Sequence, residues 1–147
     1  MQNLFLETTY QNIRQRIEKL QPDTQRQWGL MDVSQMMAHC SGQLDMATGK
    51  VKRIDESDFV SRNIIRRVLP FINIIPKSTP TSNDLKVIDA RDFKNEKQRL
   101  LSNLEAVYRA GMKTTWFPHQ KFGKLSGREW SHLIVIHLDH HLRQFSN

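Results

Sequence analysis

Apolar residues return at three- and four-residue intervals in four separate segments of this chain, and helix-starting or helix-stopping residues bracket each one. Tyr10, Ile13, Ile17 and Leu20 mark one face of a segment from about Thr8 to Leu20. Thr8 and Gln11 fit a capping box there, and Pro22 ends the segment. Val33, Met36, Cys40, Leu44 and Ala47 stripe a second, from about Asp32 to Thr48, with Asp32 and Gln35 as its box and Gly49 as its stop. Phe93, Leu100, Leu104 and Val107 mark a third, from about Asp92 to Ala110, closed by Gly111. The fourth opens on the box of Ser126 and Glu129 and runs to about Phe145. The only strand-like run, LKVIDA at 85–90, stands alone. These signals predict an all-α fold: a four-helix bundle in a single domain over residues 1–147, with a long irregular connection between the second and third helices. Within that connection, residues 58–69 suit a short helix stopped before Pro70, and PKSTPTSND at 76–84 suits a turn-rich loop.

Composition narrows the class. Hydrophobic residues make up 38% of the chain and charged residues 25%, as in globular proteins. No apolar run approaches the roughly 20 residues that span a bilayer, and the N-terminus lacks the pattern of a secretory leader. Cys40 is the only cysteine, so no internal disulfide forms and a reducing cytoplasm is expected. The net charge of +7 raises nucleic-acid binding. The basic residues are scattered, however; the densest groups, Lys50 to Arg53 and Arg62 with Arg66 and Arg67, have no interleaved aromatics. No specific nucleic acid and no membrane partner are expected.

Four of the six histidines lie in HLIVIHLDHHLRQF, residues 132–145. At about 100° per residue, His137 and His141 fall within about 20° of Trp130, in the middle of the apolar face. His132, Asp139 and Arg143 fall on the opposite, solvent side, and His140 at the edge. His137 and His141, four residues apart, stack on one face, near enough to share a metal. Two readings of this pair are open: metal ligands, or core histidines bonded to carbonyls or to Gln144. A third ligand would come from His39, which flanks the stripe of the second helix beside Gln43, or from His119, in the loop that feeds the fourth. Cys40 reads as a small core residue, and the Met36–Met37 pair as packing.

Three stretches carry a resemblance. WGLMDVSQMMAHCSGQL, PHQKFGKLSGREWSHLIVIHLDHHLRQF and IPKSTPTSNDLKVIDARDF resemble the DinB/YfiT-like superfamily, the last two one bacterial branch of unknown function. The resemblance implies a four-helix bundle, often a homodimer, and a divalent metal, zinc or nickel, on His39, His137 and His141. It also implies relatives that transfer low-molecular-weight thiols, and others that act as metal-dependent hydrolases or isomerases.

Three histidine ligands leave a coordination position open, the mark of a catalytic rather than a structural site. A hydrolase gains from a carboxylate base. With Asp45 and Asp139 both placed outward, the sequence favours a small-molecule thiol as substrate, with His140 and then His119 as proton-transfer residues. A metal-dependent hydrolase and a non-catalytic metal- or ligand-binding dimer are the alternatives. Val135, Ile136 and Leu142, outside the inward arc, would suit packing against another element or a second subunit.

Overall fold

The computed structural model describes residues 1–52, 55–77, 79 and 85–147. It is helical: α1 (Glu7–Lys19), α2 (Val33–Thr48), the single turn α3 (Arg66–Val68), α4 (Phe93–Ala110) and α5 (Gly127–Gln144). Among the described residues there is no strand; LKVIDA forms none, and the β-like pairing is a lone bridge between His119 and Gly123. Most of the 76–84 loop lies outside the described residues. No described helix is long and apolar enough to cross a membrane.

Three of the four expected helix starts form as the sequence dictates. Asp32 and Gln35 cap α2 reciprocally, Ser126 and Glu129 do the same for α5, and the Asp92 side chain accepts from Asn95 N. Gly49 ends α2 at φ 75°, a left-handed conformation that glycine adopts without a Cβ clash. The box at Thr8 does not form. α1 starts from Leu6 without a side-chain cap, Thr8 lies inside it, and Gln11 Nε2 instead donates to Glu7 Oε1 at 2.7 Å. Glu7 places negative charge on the helix N-terminus, where the dipole favours it. The helix expected at 58–69 also differs. A π turn (Ser61–Ile65), α3 and a 3-10 turn (Leu69–Phe71) follow one another, so helical turns continue through Pro70. Proline is tolerated there because the opening positions of a helical turn need no N–H donor.

α2 packs on α4 and α5, and α1 packs on the same two helices. Met36, Met37, Leu44, Leu100, Leu104, Trp130 and Ile134 are fully enclosed between them. Each such side chain contributes roughly 1.5–3 kcal/mol by leaving water.

Two residues expected to face solvent, His132 and Asp45, are buried instead. His132 is 0% exposed. Its Nδ1 accepts from Gln2 N at 2.8 Å, and its Nε2–H is shared between the carbonyls of Ile72 (2.8 Å) and Leu69 (3.1 Å). Beside it, Ser131 Oγ accepts from Leu4 N at 2.7 Å. The N-terminal segment and the 69–72 turn thus lie over the side of α5 that a helical wheel assigns to solvent. Val135, Ile136 and Leu142 are buried within the chain itself, packed against other elements of the fold, the first of the two uses expected for them. Asp45 is likewise buried. It pairs with Arg99 at 2.6 Å and accepts from Asn103 Nδ2 at 2.9 Å, joining α2 to α4. Asp139 stays at the surface, paired with Arg16 and Arg143.

Candidate metal centre

His39 from α2 meets His137 and His141 from α5, and one ring nitrogen of each lies within 4.8 Å of the other two. Adjacent packing of α2 and α5 brings the three together, with α5 supplying the stacked pair. His39, beside the apolar stripe in sequence, is 3% exposed.

Hydrogen bonds assign the protons. His39 Nδ1 lies 2.8 Å from the Leu85 carbonyl; a carbonyl only accepts, so Nδ1 carries the hydrogen and Nε2 presents a lone pair. His141 Nδ1 lies 2.9 Å from Gln144 Oε1, and Gln144 Nε2 donates to the Trp28 carbonyl at 2.6 Å. The amide oxygen therefore accepts from His141, leaving His141 Nε2 as a lone pair. His39 Nε2 and His137 Nε2 stand 2.9 Å apart. His137 Nδ1 is buried without a partner. Two fixed lone pairs and an incompletely satisfied third ring crowd one point, which is the donor set that a divalent metal takes. Metal–nitrogen bonds of about 2.1 Å hold ligand nitrogens about 3–3.5 Å apart, inside the spread seen here. The residues fit the group, and among the described residues no fourth side chain joins the cluster.

The rings are neutral. Burial pushes the His141 imidazole down to about 3, with His39 adding to it. Burial and then His141 hold His137 well below the usual histidine range, and burial lowers His39. Neutral imidazole is the form that binds metal.

The cluster opens on a cleft of about 440 Å³. His119 and His140 both line it. His119 N and O bond to Gly123 O and N, each at 2.8 Å, which fixes a tight loop. Its Nδ1 accepts from Lys121 N and Phe122 N, at 3.1 and 3.3 Å, so the remaining hydrogen sits on Nε2. Burial and then Lys121 push this imidazole down to about 4. His140 has the opposite polarity: Nδ1 donates to the Ile75 carbonyl at 3.0 Å, leaving an Nε2 lone pair. No Asp or Glu is among the described residues of the cleft wall. Cys40 is buried, and burial pushes its thiol up.

The structure thus brings the five histidines proposed from the sequence as ligands or proton-transfer residues to one cleft, and His132, expected at the surface, is buried away from it. Sequence reasoning missed three features: the Leu85 carbonyl, the Trp28–Gly29 strap over Gln144, and the lysines that line the cleft. LKVIDA held the available signal, an apolar run with no strand to pair with; it forms part of the cleft wall instead.

No curated protein and no solved structure matches the chain. The sequence model of the family described as "Protein of unknown function (DUF1569)" matches residues 4–147, and the chain belongs to that family.

Proposed function

We propose that this chain is a metal-dependent enzyme of the DinB/YfiT-like kind: a four-helix bundle of α1, α2, α4 and α5 that holds zinc or nickel on His39, His137 and His141 and transfers a low-molecular-weight thiol to a small electrophile. One observation carries the reading: three neutral imidazoles, two with their tautomers fixed by outer partners, converge on the wall of an open cleft. A closed structural zinc site takes four protein ligands. When bound, such a metal acidifies a coordinated thiol.

The chain's own residues supply the rest. Cys40 is buried, so the reacting sulfur comes from a small molecule. His140 Nε2 takes the thiol proton. The sulfur then bonds to the electrophilic carbon, and the leaving group departs with its bonding pair. His119 Nε2–H hydrogen-bonds to that departing group, its neutral form held by burial. The lack of a carboxylate among the described wall residues favours this chemistry over hydrolysis. The free lone pair of His140 favours one second reading, a hydrolase in which the same nitrogen takes a proton from water.

The test loads the protein with zinc or nickel and follows electrophile consumption with and without added thiols. Thiol-dependent consumption that disappears in His137→Ala supports the transferase. Consumption without thiol points to the hydrolase, and none with metal bound ends the catalytic reading.

A further inference from the structure

Three lysines, Lys77, Lys86 and Lys121, line the cleft with no carboxylate among its described wall residues. Lys77 Nζ lies 4.3 Å from the centre of the Trp28 ring, and Lys121 is close enough to His119 to act on its ionisation. Two large aliphatic side chains stand with them: Leu30 is 92% exposed and Ile88 89%, and both border the cleft. Folding gains nothing from such exposure. Ile75, Val87 and Leu133, less exposed, continue the apolar wall. Gln43, 3% exposed and one helical turn beyond His39, has a buried Oε1 with no partner, and buried Trp28 Nε1 also has none.

We propose that the cleft takes a small anion with an apolar body, of which a carboxylate is the simplest case, with its charge held by Lys77 and Lys121 and its body laid between Leu30 and Ile88. The proposal rests on the metal reading for where the reacting end sits, at the histidines, but not for the anion. A cation would meet like charge at the mouth, and a wholly polar substrate would leave Leu30 and Ile88 in water. Trp28 Nε1–H, buried without a partner, is placed to donate a hydrogen bond to the anion.

The test uses ω-mercaptocarboxylates of several chain lengths, each matched with its amide and with the amine of equal length. Affinity is measured by calorimetry on the cobalt-loaded and metal-free protein, and thiolate ligation by the sulfur-to-cobalt absorption band. The best carboxylate should bind about tenfold tighter than its amide, as a charge-assisted contact gives, with the amine weakest. Added salt should shrink that preference. The pair Lys77→Glu and Lys121→Glu should remove it, and the pair Lys77→Arg and Lys121→Arg should keep it. Equal affinity of carboxylate and amide overturns the proposal, as does a preference that survives charge reversal or the failure of every probe to bind. If the reversed pair does not fold by circular dichroism, Lys77→Gln with Lys121→Gln carries the same comparison. The two readouts separate the claims. The band without a carboxylate preference leaves the metal centre and removes the anion. A preference without the band, present also in metal-free protein, keeps the anion and removes the metal.

Discussion

Gln144 Oε1 accepts a hydrogen bond from His141 Nδ1 at 2.9 Å, and this contact decides which nitrogen of His141 faces His39 and His137. The same amide donates to the Trp28 carbonyl, and Gln27 N donates to the Gln144 carbonyl at 2.7 Å. Outer partners of this kind set ligand tautomer and basicity, and losing one costs about 10–100-fold in metal affinity. Gln144→Leu should therefore weaken zinc binding by that order while helicity stays intact, measured by competition with a coloured chelator. Gln144→Glu keeps the acceptor toward His141 but loses the donor to the Trp28 carbonyl, so it should bind more tightly than Gln144→Leu and less tightly than the wild type.

Gly29 sits at φ 83°, and a Cβ there would press on Gln144 Nε2. Gly29→Ala should act at the metal from a loop. The left-handed backbone costs an L residue roughly 1–2 kcal/mol, read as a lower urea midpoint. The displaced amide should lower metal affinity as well. A midpoint shift with unchanged affinity would mean that Gln144 holds His141 without the strap.

The helical stripes and caps make α2, α4 and α5 legible in the sequence, because each cap is a local contact within one turn. The inward pair His137 and His141 was legible for the same reason: a fixed angular step decides it. His39 was not fixed by its own helix, and its place at the site came from the family resemblance; the contact that buries it, with Leu85, spans 46 residues. The failures share one cause. A helical wheel gives the side opposite the apolar stripe to solvent, yet α5 is covered there too, by Gln2 to Leu4 and by the 69–72 turn. His132, Val135 and Ile136 therefore read as outward and are buried. Asp45 was misread because its partner Arg99 lies 54 residues away on another helix.

Stability of the metal-free protein should depend on pH through its buried neutral histidines. His119 titrates near 4 when folded, against about 6.5 when unfolded. The unfolded chain thus binds the proton first as pH falls, and stability drops across that window. It is complete above about pH 6.5 and lost by about pH 4, on the order of 3 kcal/mol for this residue. Chemical denaturation at a series of pH values measures it. His119→Asn should flatten the slope, and an unchanged slope would show that His119 is not the group responsible.

Cys40 should resist thiol reagents in the folded protein, since it is buried and its thiol is held protonated. Labelling by an aromatic disulfide should appear only with denaturant. Rapid labelling of the native protein would contradict the view that the reacting sulfur is supplied from outside.

The central claim is that His39, His137 and His141 hold a metal in a fold that does not need it. Elemental analysis of protein purified without a metal-affinity tag, run beside His137→Ala and checked by circular dichroism, tests this most directly. The account predicts one equivalent of zinc or nickel per chain, no metal in the variant, and the same helicity in both. Wild-type protein that folds without metal and takes up none when zinc or nickel is added, or metal retained in His137→Ala, would contradict it.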